Sequence, residues 1–322
     1  MYKVYDRWPE IAEESYNSEF KAISYKNISH IVFAGMGGSG IIGDVFSAIL
    51  SKTNIHVTIV KGYNLPKTVD KNTLVVATSI SGNTIETLSI LKSAKKTKSK
   101  IIGFSGGGKL RNYCLRNKIE YRHIKIEHSP RASLTKFLYS MLNILHSILP
   151  VKKQDILESI NDLKKTKEII YSENLTQNNT ALNFAKWIHG IPIIYYPWGL
   201  EAAAIRFKNS LQENVKYHAI AEDLVEACHN GIVSWERPSI IRPIIIEGKD
   251  DYIKTKERIK ILKIYFEENK IEYKSISSID GSILTKLINL IYILDYSTIY
   301  LSVKIGIDPS PVKSIDFIKK KI

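Results

Sequence analysis

"HIVFAGMGGSGIIGD", residues 30–44, is a short apolar run followed by glycines and then by a second apolar segment. An apolar run at 30–34 is typical of a strand buried on both faces, and residues 39–51 have helical spacing. Gly35, Gly37 and Gly40 satisfy the G-x-G-x-x-G pattern found where a helix N-terminus approaches a phosphate group. The stretch therefore predicts a strand, a ligand-binding turn and a helix.

The same rhythm of strands and helices continues along the first half of the chain. Further apolar strand candidates lie at 54–60, 73–79 and 100–108, the last ending in glycines, and the segment after residue 79 has helical spacing, as does 132–149. Strands that alternate with helices in this way predict a parallel sheet with crossover helices. Pro150 and the polar residues after it mark a domain boundary.

The plan repeats beyond that boundary. Strand candidates lie at 191–199, 216–221, 238–248 and 270–277, and helical patterns at 201–213, 255–268 and 282–304. We therefore expect two doubly wound parallel-sheet α/β domains, covering residues 1–150 and 151–322.

Composition restricts the class of protein and its partners. The 322 residues are 44% hydrophobic and 24% charged, no apolar run reaches membrane-spanning length, and the N-terminus predicts no signal peptide. We expect a cytoplasmic protein without a membrane partner. The net charge of +14 comes from scattered lysines, so no nucleic-acid partner is predicted. The two cysteines, Cys114 and Cys228, predict neither a disulfide framework nor a metal site.

The glycine turn alone does not decide between a dinucleotide and another phosphate ligand. A dinucleotide site needs an acidic residue at the end of the second strand to bind the ribose. That position holds Lys61, which weighs against NAD.

A second loop, "ATSISGNTIETL" at 77–88, follows the third strand and opens a helix. Ser79, Ser81 and Thr84 place three hydroxyls at a helix N-terminus, where free amides and the helix dipole favour an anion. The alternative is a capping box in which Thr84 or Ser81 caps the helix with Glu86 nearby. Three hydroxyls around a glycine exceed what capping needs, so we predict a cradle for a phosphate monoester.

"GMGGSG" at 35–40 and "SISGNTIET" at 79–87 together resemble the sugar isomerase (SIS) domain. Further stretches make the chain similar to bifunctional phosphoglucose/phosphomannose isomerases over nearly its full length. They are "SPRASL" at 129–134, "RFKNSLQENVK" at 206–216, "EACHNGIVSW" at 226–235 and "GIDPSPVKSIDFIKK" at 306–320.

The resemblance implies interconversion of glucose 6-phosphate, and of mannose 6-phosphate, with fructose 6-phosphate through a cis-enediolate. This chemistry needs acid–base groups and a cation near the developing negative charge, so no metal or other cofactor is expected. Glu213 matches the base of the family, His229 the ring-opening histidine, Arg131 the arginine facing the enediolate, and Lys319 a C-terminal active-site lysine.

The resemblance also implies how the substrate is held and how the subunits combine. The residues expected to bind the phosphate and the sugar hydroxyls are Gly37, Gly38, Ser39, Ser79, Ser81 and Thr84. In related isomerases the histidine corresponds to one supplied by the partner subunit, so a homodimer with a shared active site is expected.

One position departs from the family pattern. Some members place a threonine where this chain has Val312, which bears on mannose 6-phosphate activity, although Ser310 is close by. Three alternative functions stay open. They are a non-catalytic phosphosugar-sensing regulator, the isomerase half of a hexosamine synthase, and an NAD-dependent dehydrogenase.

Overall fold

The structure is a computed structural model and describes residues 1–321. The chain divides into two compact units. The N-terminal unit comprises Asp6–Lys164 and Ser282–Leu284, and the C-terminal unit comprises Met1–Tyr5, Lys165–Gly281 and the chain from Thr285 onward.

The secondary structure of the described residues consists of the following elements. The strands are β1 His30–Ala34, β2 His56–Val60, β3 Thr73–Ser79, β4 Lys100–Ser105, β5 Glu120–His123, β6 Ile191–Tyr196, β7 Ile220–Asp223, β8 Ile241–Glu247 and β9 Lys274–Ser277. The α-helices are α1 Tyr2–Tyr5, α2 Trp8–Tyr16, α3 Gly38–Leu50, α4 Ile85–Ala94, α5 Gly108–Arg116, α6 Leu134–Ile144, α7 Lys153–Ile170, α8 Thr180–Trp187, α9 Glu201–Ser210, α10 Leu224–Ala227, α11 Ile253–Glu268, α12 Ile283–Lys304 and α13 Lys313–Lys319. Shorter turns of 3₁₀ helix span Arg131–Ser133 and Gly231–Glu236, and a π-helical turn spans Leu211–Val215.

The N-terminal unit contains a five-stranded parallel sheet in the order β2-β1-β3-β4-β5. Every residue of β1 and β3 is buried, because both strands lie inside the sheet with helices on its faces. This confirms the α/β fold class. The predicted domain boundary at 150 falls in the loop between α6 and α7, and the division between the two units falls within α7.

The C-terminal unit contains a four-stranded parallel sheet in the order β7-β6-β8-β9. This order repeats that of the first four strands of the N-terminal sheet, as expected of a second doubly wound domain. A core of aromatic and aliphatic side chains lies between this sheet and α11, and it includes Tyr195, Trp235, Ile245 and Phe266.

The helix predicted over 201–213 begins at Glu201 as expected but is α-helical over fewer residues, and the strand predicted over 216–221 is shifted to Ile220–Asp223. The α-helix ends at Ser210 and a π turn takes its place, while the strand begins only at Ile220. Lys216 closes the π turn in the left-handed conformation, with φ +62°, so the chain turns there and cannot continue as a strand. The helix predicted over 132–149 is also shorter and ends at Ile144.

The strand order fixes where a ligand can bind in each unit. In the N-terminal sheet β1 lies between β2 and β3, so the connections that leave β1 and β3 diverge to opposite sides. The crevice at the carboxyl ends of two such strands is the usual ligand site of open α/β sheets. The glycine turn and the hydroxyl-rich loop both lie there.

Candidate active site

The glycine turn after β1 approaches the loop after β3 closely. A side chain on Gly35 would lie 3.0 Å from the carbonyl oxygen of Thr78, so only glycine fits without displacing backbone. Gly37 has φ +51°, and α3 begins at Gly38 without a side-chain cap. Ser39 Oγ accepts a hydrogen bond from the amide of Ile80 at 3.1 Å. The structure therefore brings Gly37, Gly38 and Ser39 to the start of the hydroxyl loop.

The hydroxyl loop after β3 is tied together by its own side chains. The hydroxyls of Ser79 and Thr84 are 2.8 Å apart, and the amide of Thr84 donates to Ser79 Oγ at 3.4 Å. Ser81 Oγ accepts from the amide of Asn83 at 3.4 Å. The three predicted hydroxyl residues thus lie in one loop.

The capping box considered as the alternative is not formed. Thr84 is the residue before α4, but its side chain makes no capping bond to the first turn. Glu86 instead accepts a hydrogen bond from the Tyr63 hydroxyl at 3.3 Å. The amino end of α4 is therefore lined by hydroxyls without being capped by them, as an anion site requires.

A third loop, after β4, supports the hydroxyl loop. Gly82 has φ +72°, and a Cβ on it would overlap the carbonyl oxygen of Gly107. The carbonyl of Gly82 accepts from the amide of Leu110 at 2.8 Å, and Asn83 Oδ1 accepts from the amide of Lys109 at 3.1 Å. The hydroxyl loop is thus held in place before any ligand binds. The sequence analysis did not single out this support, although three consecutive glycines at 106–108 were its signal.

The residue after β2 is the positively charged Lys61, whereas a dinucleotide site has an acidic residue there to bind the ribose hydroxyl. Lys61 Nζ is 2.6 Å from Asp44 Oδ2, and this ion pair lies beside the glycine turn. Burial raises the pKa of the Asp44 carboxyl, and the Lys61 ammonium opposes that rise. The acidic residue that would bind the ribose is replaced by a lysine, and the strand order 2-1-3-4-5 differs from the 3-2-1-4-5-6 order of dinucleotide-binding folds.

Arg131 lies in the same unit as these loops. It begins the 3₁₀ turn that leads into α6 and is only 5% exposed. Ser133 braces this turn, since its hydroxyl accepts from the amide of Glu127 and donates to the Glu127 carbonyl, both at 2.9 Å. The Arg131 side chain therefore extends from a turn whose backbone is fixed by hydrogen bonds.

Glu213 lies in the C-terminal unit, on the π turn, and borders a cavity of about 770 Å³. Lys216, which closes the turn, donates from Nζ to the carbonyls of Glu213 and Pro311, the latter at 2.8 Å. The turn and the C-terminal segment thus form two walls of this cavity. The residues that line it are Asn209, Gln212, Glu213, Lys216, Tyr217, His218, Ile307, Asp308, Pro311, Val312, Lys313, Ser314 and Ile315.

The cavity holds some of the predicted residues of this unit and not others. Val312, the position that departs from the family pattern, lines it, and so does His218, which the sequence analysis did not select. His229 is exposed after α10, and Lys319 is exposed at the end of α13. Neither lines the Glu213 cavity within the described part of the C-terminal unit.

Other ligand types find less support among the described residues. Within residues 1–321, no three His, Cys, Asp or Glu side chains are grouped so that they could hold a metal ion. A search of the same residues finds no helix with the length and apolarity needed to cross a membrane. Cys114 is fully buried, and burial raises the pKa of its thiol to about 12, so it stays protonated and unreactive near neutral pH.

Two family models match the chain, one in each half. The SIS domain matches residues 24–142, and the bacterial phospho-glucose isomerase C-terminal SIS domain matches residues 177–322. The chain is therefore a protein with two SIS domains. A curated relative in Caldicellulosiruptor bescii, named bifunctional phosphoglucose/phosphomannose isomerase, is 33% identical over 311 residues, which cover 93% of this chain and 91% of the relative. The chain belongs to the family of bifunctional phosphoglucose/phosphomannose isomerases.

Two further comparisons define the breadth of the likeness. A protein of Sulfolobus acidocaldarius named D-glucosamine-6-phosphate 4-epimerase is 31% identical over 257 residues, covering 76% of this chain and 77% of that protein. A solved structure of a hypothetical protein from Thermus thermophilus matches with a TM-score of 0.77 at 14% identity, covering 98% of this chain and 89% of that one. The structural match shows the fold alone.

Proposed function

We propose that the chain interconverts glucose 6-phosphate, and mannose 6-phosphate, with fructose 6-phosphate. The observation that carries the proposal is the hydroxyl loop at residues 79–84, which lies at the switch point of the sheet, opens α4 without capping it, and is held in place in advance. Its chemistry suits one phosphate group, and the family of isomerases to which the chain belongs supports the reaction.

The proposed reaction assigns a role to each predicted residue. The amides and hydroxyls of Gly37, Gly38, Ser39, Ser79, Ser81 and Thr84 bind the phosphate and the sugar. His229 opens the ring, because an imidazole both donates and accepts a proton near neutral pH. Glu213 then removes the C2 proton and returns it to C1. Arg131 and Lys319 stabilise the negative charge of the enediolate.

No metal has a role in this proposal, because these groups supply both the acid–base chemistry and the positive charge. We expect turnover to continue in EDTA. Glu213→Gln keeps the shape of the side chain but removes the base, and should lower kcat by about 1,000-fold or more. Glu257→Gln, on the exposed face of α11, is the matched control and should retain activity. Full activity of Glu213→Gln would refute the role of Glu213.

The choice of histidine is tested in the same assay. His229→Ala should slow turnover of the cyclic sugar more than His218→Ala, even though His218 is the one that lines the Glu213 cavity. Sugar phosphates open slowly without catalysis, so His229→Ala should lose less activity than Glu213→Gln. The reverse ranking of the two histidines would transfer the ring-opening role to His218.

We further propose that the chain acts in the cytoplasm as a homodimer in which His229 serves the partner subunit. The exposure of His229, away from the Glu213 cavity, supports this. Mixing the impaired variants Glu213→Gln and His229→Ala through unfolding and refolding should raise the activity to about a quarter of the wild-type value, since half the dimers are mixed and each carries one intact site. If the mixture is no more active than the average of the two separate variants, the histidine does not cross between subunits.

A second candidate function follows from the comparison with the 4-epimerase, whose identity to this chain is close to that of the isomerase relatives. Assays with glucose 6-phosphate, mannose 6-phosphate and glucosamine 6-phosphate distinguish the two. Turnover of glucosamine 6-phosphate alone would favour the epimerase. Binding of fructose 6-phosphate without any turnover would favour the non-catalytic sensor.

A further inference from the structure

The π turn that carries Glu213 is an unusual backbone segment. The amides of Lys216 and Tyr217 both donate to the carbonyl of Leu211, the latter at 3.2 Å, so the helix widens after Ser210. Such turns are rare, less favourable than an α-helix, and found frequently at functional sites. Something outside the turn must therefore stabilise it.

One stabilising contact comes from α12. Asn214, the residue after Glu213, donates from Nδ2 to Thr298 Oγ1 at 2.8 Å, and Thr298 Oγ1 donates to the carbonyl of Asp295 at 2.6 Å. Asn214 and Thr298 are both completely buried. This bond replaces contacts with water, and its loss would leave the Asn214 amide buried without this partner.

A second contact joins the residue before the turn to the same helix. Ser210 Oγ donates to Asp295 Oδ1 at 2.6 Å, and the Arg206 guanidinium donates to both Asp295 oxygens at 2.6–3.2 Å. Tyr5 OH completes the set at 3.2 Å. The buried carboxylate is thus fully solvated by protein donors, which is what holds a charge in a fold interior.

Arg206 also connects this network electrostatically to Glu213. Burial lowers the pKa of Arg206, but the neighbouring Asp295 and, more weakly, Glu213 raise it, and the net shift is upward. The guanidinium therefore stays charged and attracts the Glu213 carboxylate. Residues on both sides of Glu213 in the sequence, Ser210 and Asn214, are thus hydrogen-bonded to α12.

We infer that Asp295 and Thr298, here called the α12 anchor, are positioning residues that set the place of the Glu213 carboxylate through Ser210 and Asn214. The inference rests on the proposed function of Glu213 as the base. The anchor is buried and does not act on the substrate itself. A displacement of a reacting group by about 1 Å can cost about 100-fold in rate, so the anchor should govern kcat.

Thr298→Val tests the inference, because valine has the shape of threonine without its hydroxyl. We expect kcat to fall about tenfold or more while KM for the hexose phosphate changes by less than about twofold, because the phosphate is bound elsewhere. Thr298→Ser keeps the hydroxyl and should retain kcat within about threefold. Ser302→Ala is the control, since Ser302 is a buried residue of the same helix whose hydroxyl donates to the Ile299 carbonyl of that helix at 2.7 Å.

Two results would overturn the inference. One is a wild-type kcat in folded Thr298→Val. The other is a loss of kcat in Thr298→Ser and in Ser302→Ala as large as that in Thr298→Val. If Thr298→Val does not fold, Ser210→Ala removes the other contact, and a kcat unchanged in that variant would overturn it. If the wild-type chain turns over none of the hexose phosphates, the proposed function fails and the inference fails with it.

Discussion

The two sheets share the strand order 2-1-3-4, yet the loops at their switch points have opposite chemistry. In the N-terminal unit the loop after β3 presents the hydroxyls of Ser79 and Thr84. In the C-terminal unit the loop after β8 contains two acids, and Asp251 accepts the amide of Gly248 at 2.7 Å. Burial raises the pKa of the Asp251 carboxyl, as expected of an acid enclosed by its own loop.

Both loops lead into a helix that has no side-chain cap, so a bare helix terminus does not distinguish them. The difference lies in the side chains and in the glycine turn on the neighbouring strand. An anion would find amides and hydroxyls in the first loop, and in the second the carboxylates of Asp250 and Asp251 next to Lys249. The fold thus supplies the same crevice twice, and the proposed phosphate site is the copy whose loop presents hydroxyls.

Gly82 is the residue of the hydroxyl loop whose substitution should do most damage to phosphate binding. Gly82→Ala adds a Cβ that overlaps the Gly107 carbonyl at a positive φ, so the hydroxyl loop must move. We expect a loss of about 2–4 kcal/mol of stability and no detectable binding of fructose 6-phosphate by calorimetry. Gly62→Ala is the control, because a Cβ there meets nothing within 4 Å.

The outcome of this variant locates the phosphate site. If Gly82→Ala stays folded and still binds fructose 6-phosphate with wild-type affinity, the phosphate is not bound by the N-terminal loop. The C-terminal crevice would then have to be reconsidered in spite of its acids.

A smaller effect is expected when single hydroxyls are removed. Thr84→Val keeps the shape of the side chain but removes a hydroxyl proposed to donate to the phosphate, and should raise the Kd for fructose 6-phosphate about 10- to 100-fold. Thr84→Ser should stay within about threefold of the wild type, because it retains the hydroxyl.

The matched control lies in the other unit. Ser278 is a buried serine whose hydroxyl accepts the amide of Lys249 in the loop after β8, at 3.1 Å. Ser278→Ala should leave the Kd unchanged. Equal losses in Thr84→Val and Ser278→Ala would show that the two loops do not differ in the way proposed.

The hydrophobic pattern and the glycine and hydroxyl residues predicted the strands and loops whose structure depends on neighbouring residues in the sequence. The continuous apolar run at 73–79 predicted β3 with its observed bounds, and the glycines and hydroxyls predicted the loops beside it. Strand β5 was not predicted, because Glu120–His123 is short, polar and only partly buried at a sheet edge. Its place is decided by pairing with β4, which no periodicity reveals.

The π turn that carries Glu213 is the part of the candidate site that the sequence did not predict. The sequence around Glu213 continues the helical spacing of α9 and predicts a helix through residue 213, whereas the structure changes from α-helix to π-helix after Ser210. The turn depends on Asp295 and Thr298, which are more than 80 residues away in the sequence. The close approach of Gly82 to Gly107 is likewise a tertiary contact that the pattern of either loop does not contain.

The amino end of β1, at the end of the sheet opposite the loops, is a further difference between the two units, and we expect only a modest effect there. His30 begins β1 and is buried, with Nε2 2.9 Å from Thr58 Oγ1 and Nδ1 3.3 Å from Thr73 Oγ1. Burial lowers the pKa of this imidazole, His56 lowers it further, and Asp70 partly offsets them. The corresponding strand of the C-terminal sheet, β6, begins with Ile191 and has no such group.

A histidine whose pKa is lower in the folded than in the unfolded state binds its proton more weakly when folded, so acid favours unfolding. The stability contributed by neutral His30 is therefore complete above the unfolded pKa of about 6.5 and declines as the pH falls below it. Hydrogen exchange should quicken in β1 more than in β6 between pH 7 and pH 5.5, after correction for the intrinsic exchange rate. His30→Gln should remove that difference, whereas equal acceleration in both sheets would mean that the acid sensitivity does not arise at His30.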